Sequence, residues 1–204
     1  EFLDRVESLI GVRPEVLAGS EEAELSFRGA TAALPGDGPT LVIDPGGGST
    51  EFVWGVDRVE YSRSVDIGSV RLRDRMPPGN PARAGAVASG RDEARRVMAE
   101  VRLPGQPQRI IGVAGTFTSL AAIHLELAVY DRERTHGTVM HLSDLDALVD
   151  HLARLSLTEI AAIPSMDPKR APVMLAGAIV AAEAVRLAGD QVIVSEYDML
   201  DALI

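Results

Sequence analysis

The chain has 204 residues, 46% of them apolar and 25% charged, with a formal net charge of -10 and no cysteine. This composition predicts a globular fold with a sizeable core. It argues against nucleic acid as a partner, since such proteins usually carry a basic face, and it excludes disulfides and thiolate metal sites. No apolar run approaches the roughly 18 to 20 residues that cross a bilayer, and no signal peptide is evident, which predicts a cytoplasmic protein without a membrane partner.

The pattern of apolar residues predicts nine helices and six strands. The predicted helices cover residues 1–10, 21–34, 67–76, 83–102, 115–128, 142–155, 157–163, 168–188 and 198–204. The predicted strands cover residues 14–17, 40–44, 50–56, 58–65, 109–114 and 191–194. Short turns between the three strands from 40 to 65 indicate antiparallel neighbours, and helices alternate with strands after them. We therefore expect an α/β fold, a three-layer lobe whose mixed sheet begins with three antiparallel strands and carries helices on both faces.

The turn between the strands 40–44 and 50–56 carries the most informative chemistry. It consists of Asp44, Pro45, Gly46, Gly47, Gly48, Ser49, Thr50 and Glu51. Three consecutive glycines have no Cβ, so their backbone N–H groups can turn towards an anion, while Ser49 and Thr50 add hydroxyl donors. Asp44 and Glu51 are suited to hold a magnesium ion that shares the oxygens of a phosphate. The turn lacks the ending of a Walker loop, and a glycine-rich hairpin without a ligand is the alternative interpretation.

A second candidate phosphate loop runs from Gly112 to Thr118, where a buried strand leads through small residues into a helix. The unpaired N–H groups and the dipole of such a helix favour an anion at its N-terminus, which points to Gly115 and Thr116. By itself this is a weak signal, because Thr116 could be a plain helix N-cap. Two loops of this kind in one lobe favour shared binding of phosphate.

Charged residues cluster in two further places. Three glutamates lie between residues 21 and 24 at the start of a predicted helix, where acids ordinarily just complement the helix dipole. Among them, Glu22 shares a helix face with Ser26 and Gly29, so it is the candidate to turn inward and orient a water molecule. Residues 58–109 contain eleven arginines against six acids. This balance suits an anionic substrate, although arginines at helical spacing are more often a solvated face.

These segments together resemble the exopolyphosphatase and guanosine pentaphosphate phosphohydrolase (Ppx/GppA) family of the actin-like ATPase superfamily. The resemblance covers nearly the whole chain and rests on residues 19–25, 41–52, 64–72, 112–118, 164–177 and 194–196. It implies hydrolysis of a terminal phosphoanhydride between two actin-like (ribonuclease H-like) lobes, with Mg²⁺ as the cofactor. It also implies that Glu22 is the catalytic base and that Asp44 and Glu51 are acidic residues at the metal. The implied phosphate contacts are Gly46, Gly47, Gly48, Ser49, Thr50, Gly115 and Thr116.

The resemblance further implies how the chain is divided and what it acts on. Residues 1–36 resemble the last elements of an N-terminal actin-like lobe that is largely missing, and residues 37–204 resemble the C-terminal lobe. The expected substrate is inorganic polyphosphate, with guanosine pentaphosphate as one alternative and a non-hydrolytic nucleotide-binding regulatory module as another. Because one wall of the cleft is absent, we expect the isolated chain to be weakly active or inactive. Apolar surface that the missing lobe would cover favours a homodimer.

Overall fold

A computed structural model describes residues 2–203, with only the main chain of Leu203. The helices are α1 (Phe2–Ile10), α2 (Gly19–Ala33), α3 (Ser69–Arg75), α4 (Ala86–Met98), α5 (Ala114–His124), α6 (Arg132–Thr135), α7 (Leu142–Arg154), α8 (Leu157–Ala161) and α9 (Ala171–Ala188). The strands are β1 (Thr40–Pro45), β2 (Thr50–Gly55), β3 (Val59–Val65), β4 (Arg109–Gly112), β5 (Val139–His141) and β6 (Gln191–Val194). Short 3-10 helices lie at Pro168–Arg170 and Asp201–Leu203.

The six strands form one mixed sheet in the order β3-β2-β1-β4-β6-β5. Strands β1, β2 and β3 are antiparallel neighbours, whereas β1, β4 and β6 run parallel to one another. The predicted mixed sheet with three antiparallel strands at its start is therefore confirmed. Because β1, β4 and β6 are parallel, their carboxyl ends meet at one edge of the sheet, which is where ligands bind in open α/β sheets.

Helices cover both faces of the sheet, which confirms the three-layer α/β architecture. On one face, α9 packs at the centre of the larger core, in contact with α3, α4, α5, α7 and α8. On the other face, α2 packs through Ala23, Phe27 and Ala30 against side chains from three strands, including Val42 and Val53. Because both faces are covered, β1 has buried residues in succession instead of alternating buried and exposed ones.

Three predictions differ from the structure at the ends and edges of the fold. Residues 14–17 form no strand, because they are largely exposed and no neighbouring strand pairs with them. Strand β5 was not predicted, since its three residues are too few to show a period; it is defined by its pairing with β6. The predicted helix 198–204 is only a 3-10 turn, and its last residue, like the first of predicted helix 1–10, lies outside the described residues.

The long helix α9 corrects one statement made from the sequence. Together with the 3-10 turn before it, α9 is long and apolar enough to cross a membrane by length and composition. The expectation that no apolar stretch approaches that length was therefore wrong. In the structure, 78% of the most apolar 18-residue window is buried among the other helices and the sheet. The hydrophobicity of α9 thus matches its position as the central core helix.

One acid, Glu183, is buried within α9, where its side chain is 1% exposed. The guanidinium groups of Arg91 and Arg95 donate to its carboxylate at 2.5 and 2.7 Å. Arg91 also donates to Asp146 of α7 at 2.7 Å. A buried carboxylate is tolerated only with such partners, so this network ties α4, α7 and α9 together through charge as well as through packing.

Candidate active site

Three polar residues lie side by side across the antiparallel part of the sheet. Strand pairing sets Asp44 of β1 opposite Glu51 of β2, and Glu51 opposite Ser64 of β3. Because side chains alternate along a strand, Asp44 shares its face with Val42, and that is the face covered by α2. The two acids of the glycine turn therefore project onto the same side of the sheet, at the end of the α2 contact.

Helix α2 brings Glu22 to the same place. Its neighbour Ala23 is buried against the sheet, whereas Glu22 is exposed at the wall of a cavity of about 320 Å³. The cavity is lined by Gly19, Glu22, Ala23, Ser26, Asp44, Ser49, Glu51, Val53, Ser62, Arg63 and Ser64. The structure thus places around one cavity the three acids that the sequence singled out, although 22 to 29 residues separate Glu22 from the other two.

The environment of Asp44 is the most perturbed in this cavity. Burial, together with the nearby charges of Glu51, Asp198 and Glu22, raises the pKa of Asp44 from 3.8 to about 7. Asp198 was not singled out from the sequence, because it approaches only through the fold of the C-terminal segment. Three carboxylates that each disfavour the ionised form of Asp44 mark a place where a cation is favoured.

The donor set at the site fits a cation that is shared with a ligand. Among residues 2–203, no group of three or more histidine, aspartate or glutamate side chains is arranged to hold a metal ion by itself. Mg²⁺ is commonly bound by one or two carboxylates, with water and phosphate oxygens completing its shell. Asp44 and Glu51, directly opposite each other on neighbouring strands, are suited to that mode.

The glycine turn is held in a shape that presents backbone donors. The N–H of Gly46 donates to the carbonyl of Ser49 at 3.0 Å, which closes the turn. The carbonyl of Gly46 accepts from the N–H of Ser69, and the carbonyl of Gly47 accepts from Val70 N at 2.9 Å, both at the start of α3. In a trans peptide the C=O and N–H groups point in opposite directions. The N–H groups of Gly47 and Gly48 therefore point away from α3, as a phosphate loop requires.

Two hydroxyls assigned to phosphate binding have other partners. The buried hydroxyl of Thr50 donates to the carbonyl of Ile67 at 2.6 Å. The buried hydroxyl of Thr116 donates to the carbonyl of Pro45 at 3.1 Å, and so joins the second loop to the first. Both hydroxyls therefore brace the loops in this structure, and the expected phosphate contacts of Thr50 and Thr116 stay predictions. Ser49, by contrast, lines the cavity.

The second loop reaches the same edge of the sheet through β4. Ala114 has a positive φ of 63°, which is uncommon for a residue with a Cβ, and it turns the chain into α5. A Cβ on the next residue, Gly115, would lie 1.7 Å from Nη1 of Arg170. The guanidinium of Arg170 thus lies across the start of α5, and among residues 2–203 no carboxylate pairs with it. Two positive groups in contact, the helix N-terminus and Arg170, favour an anion between them.

Arg170 received no role from the sequence, although it stands in a segment, 164–177, that supports the family resemblance. Its signal is the glycine at 115, whose missing Cβ leaves the space that the guanidinium occupies. The arginines of the segment 58–109 differ from Arg170 in their partners. Seven of its eleven arginines form ion pairs with carboxylates. Most of the segment therefore has the ion pairs of a solvated face, while Arg63 lines the cavity and Arg71 lies beside Gly48 of the glycine turn.

The fold is a three-layer α/β lobe that carries two glycine-containing loops at one edge of its sheet. The chain belongs to the Ppx/GppA phosphatase family, whose model matches residues 1–200. It is 39% identical to "Exopolyphosphatase 2" of Mycobacterium tuberculosis over 206 residues, which are 96% of this chain and 64% of that protein. It is 30% identical to "Exopolyphosphatase 1" of Mycobacterium leprae, over 91% of this chain and 56% of that protein.

Solved structures of family members have the same fold. An exopolyphosphatase-like protein superposes with a TM-score of 0.91 at 32% identity, over 99% of this chain and 70% of that one. A Ppx/GppA enzyme of Aquifex aeolicus superposes with a TM-score of 0.90 at 26% identity, over 99% of this chain and 68% of that one. The chain thus spans about two thirds of the length of these relatives.

Proposed function

We propose that the chain carries the catalytic lobe of a phosphoanhydride hydrolase that releases terminal phosphate from inorganic polyphosphate by attack of water. One observation carries the proposal: Asp44 and Glu51 stand opposite each other beside the amide groups of Gly47 and Gly48, with Glu22 at the same cavity. A cation site, anion donors and a base therefore share one edge of the sheet. Polyphosphate as the substrate is supported by the names of the exopolyphosphatase relatives.

Each group has a role in positioning a phosphate for in-line attack. The N–H groups of Gly47 and Gly48 bind phosphate oxygens, and Arg170 neutralises charge from the side of the second loop. Asp44 and Glu51 hold Mg²⁺, which when bound would offset the charge of the phosphate oxygens. Glu22 accepts the proton of the attacking water and orients it. Because Glu22 is exposed at the cavity wall, it can reach water without disturbing the packing of α2.

The test replaces the base and keeps the binding groups. The protein used is a fusion of this chain with the complementary lobe of a two-lobed family member. In this fusion, Glu22→Gln should lower phosphate release from polyphosphate by about 100-fold or more. Tripolyphosphate binding, measured by calorimetry with Mg²⁺, should stay within a few-fold of the unmutated protein. Unchanged turnover would refute the role of Glu22. No turnover in either protein, with binding retained, would favour the alternative of a non-hydrolytic nucleotide-binding module.

We also propose that residues 1–36 are the last elements of a first actin-like lobe and residues 37–204 the second lobe. Helix α1 supports this division, because none of its residues is buried and its apolar side chains Phe2 and Leu9 are 78% and 77% exposed, whereas α2 is the element of residues 1–36 that packs on the sheet of the second lobe. An isolated chain with this surface uncovered should be weakly active or inactive and should form a homodimer. Phosphate release by the isolated chain at the rate of a two-lobed relative would contradict the first expectation, and a monomer by light scattering would contradict the second.

Guanosine pentaphosphate is the second substrate considered, because the family includes enzymes that hydrolyse it. Its terminal 5′ phosphoanhydride presents the same group to the loops as polyphosphate does, so the cavity accommodates the reacting end of either. Phosphate release from equimolar mixtures of the two substrates, followed with one of them isotopically labelled, separates the two activities. A cytoplasmic location belongs to the same proposal, since both substrates are intracellular anions.

A further inference from the structure

Ser64 is placed to control the orientation of one proposed metal ligand. It lies on β3, the edge strand, directly opposite Glu51. Its hydroxyl donates to Oε1 of Glu51 at 2.7 Å, a length typical of a hydrogen bond to a carboxylate. Both side chains line the cavity that Glu22 and Asp44 share. Ser64 does not itself stand beside Asp44, because β2 separates the two strands.

The hydrogen bond matters because Glu51 has a long side chain and a like-charged neighbour. Repulsion from Asp44 pushes the carboxylate of Glu51 away from the position where the two would share a cation. A glutamate also loses rotamer freedom when it is fixed, which disfavours a single orientation of its carboxylate. A hydroxyl on the adjacent strand occupies one carboxylate oxygen and leaves the other free for the cation. Groups that hold ligands in this way commonly change metal affinity about 10- to 100-fold when removed.

We propose that Ser64 is a positioning residue that holds the Glu51 carboxylate in the orientation needed to bind the divalent cation. This inference rests on the proposed function, because it takes Asp44 and Glu51 as the metal ligands. It adds a residue from a third strand to the site, so that β1, β2 and β3 each supply one member of a cross-strand row. The antiparallel ribbon is then part of the site and not only a support for the glycine loop.

The experiment compares side chains of equal shape that differ in one group. Ser64→Thr keeps the hydroxyl, whereas Ser64→Val replaces it with a methyl group, and both suit a strand because they are β-branched. The readout is Mn²⁺ binding to the chain at a fixed concentration of inorganic phosphate, which supplies the remaining ligands, measured by calorimetry and by the electron paramagnetic resonance of the free ion. Ser64→Val should bind Mn²⁺ at least about 10-fold more weakly, while Ser64→Thr should stay within about threefold of the unmutated chain.

Ser62 provides the matched control. It lies two residues away on the same strand, projects to the same face and lines the same cavity, but it is paired with Val53 and not with a carboxylate. Ser62→Val should therefore leave the Mn²⁺ affinity unchanged. Equal Mn²⁺ affinity in Ser64→Val and Ser64→Thr would overturn the inference, as would equal losses in Ser64→Val and Ser62→Val.

One further variant separates this inference from the proposed function. If the chain binds Mn²⁺ and Glu51→Gln abolishes that binding, the proposed metal site is supported. The comparison of Ser64→Val with Ser64→Thr then tests the inference about Ser64 by itself. If Glu51→Gln binds Mn²⁺ as the unmutated chain does, the metal site itself is wrong, and the inference about Ser64 falls with it. Circular dichroism melting of each variant confirms that the comparison is made between folded proteins.

Discussion

Gly68 offers a direct test of how the phosphate loop is held. This residue precedes α3 and has extended backbone angles of φ -151° and ψ -179°, which alanine adopts without strain. A Cβ built on Gly68 would lie 2.6 Å from the carbonyl oxygen of Gly46 and 2.7 Å from the carbonyl carbon and oxygen of Gly47. The obstacle to a side chain at position 68 is therefore contact with the loop and not the conformation of its own backbone.

The size of the expected displacement follows from those distances. Ordinary contacts of a Cβ begin at 3.4 Å and the shortest contact here is 2.6 Å, so the loop and α3 must separate by the difference, about 0.8 Å. That movement stretches the bonds from Ser69 N and Val70 N that aim the loop amides. A misplacement of about 1 Å commonly costs on the order of 100-fold in catalysis, so we expect Gly68→Ala to weaken binding of a phosphate ligand about 10-fold or more. Overpacking of this kind destabilises a fold by roughly 1 to 3 kcal/mol.

The assay measures binding and stability on the same samples. Calorimetry with tripolyphosphate and Mg²⁺ gives the affinity, and urea unfolding gives the free energy of unfolding. Gly105→Ala is the control, because a Cβ there would meet only Cζ2 of Trp54, at an ordinary 3.8 Å. If Gly68→Ala is folded and binds tripolyphosphate as tightly as the unmutated chain, the account of α3 as the support of the loop is refuted.

Two further predictions concern charge. Because the pKa of Asp44 is raised from 3.8 to about 7, the folded state retains a proton that the unfolded state releases, and stability falls as pH rises between those values. Urea unfolding without divalent cations should give Asp44→Asn the same free energy of unfolding as the unmutated chain at pH 4. At pH 8 the free energy of unfolding of Asp44→Asn should be higher by roughly 2 to 4 kcal/mol. Equal stability at pH 8 would contradict the raised pKa. Arg91→Met should lower the free energy of unfolding by about 2 to 4 kcal/mol because it leaves the buried Glu183 with fewer partners. The control is Arg96→Met, which removes the exposed ion pair with Glu93. Equal losses of stability in Arg91→Met and Arg96→Met would contradict the prediction that burial of Glu183 makes its ion pairs important.

Local patterns in the sequence were sufficient for the elements with strong signals. The three antiparallel strands were predicted because their turns are short, and α9 because residues 168–188 are rich in alanine. The predicted elements that were confirmed end within four residues of their observed bounds. The glycine loop was singled out because two acids and two hydroxyls flank three consecutive glycines, and its role in phosphate binding stays a prediction. Strand β5 and the coil at 14–17 were misjudged because a short strand is defined by its partner and not by its own residues.

The sequence by itself determined which chemical groups are available: two acids around a glycine turn, a second loop that opens a helix, and glutamates at the start of α2. Only the tertiary structure decided which of them meet. Strand register sets Asp44, Glu51 and Ser64 in one row, because antiparallel pairing places residues far apart in sequence directly opposite each other.

Tertiary contacts also decided what each polar group faces. The hydroxyls of Thr50 and Thr116 donate to main-chain carbonyls. By contrast, the fold places Arg170 beside Gly115 of the second loop, 55 residues earlier in the sequence. A side chain's type fixes which hydrogen bonds and charges it can offer. Its surroundings, which depend on the packing of distant segments, determine whether those are used for the fold or left for a ligand.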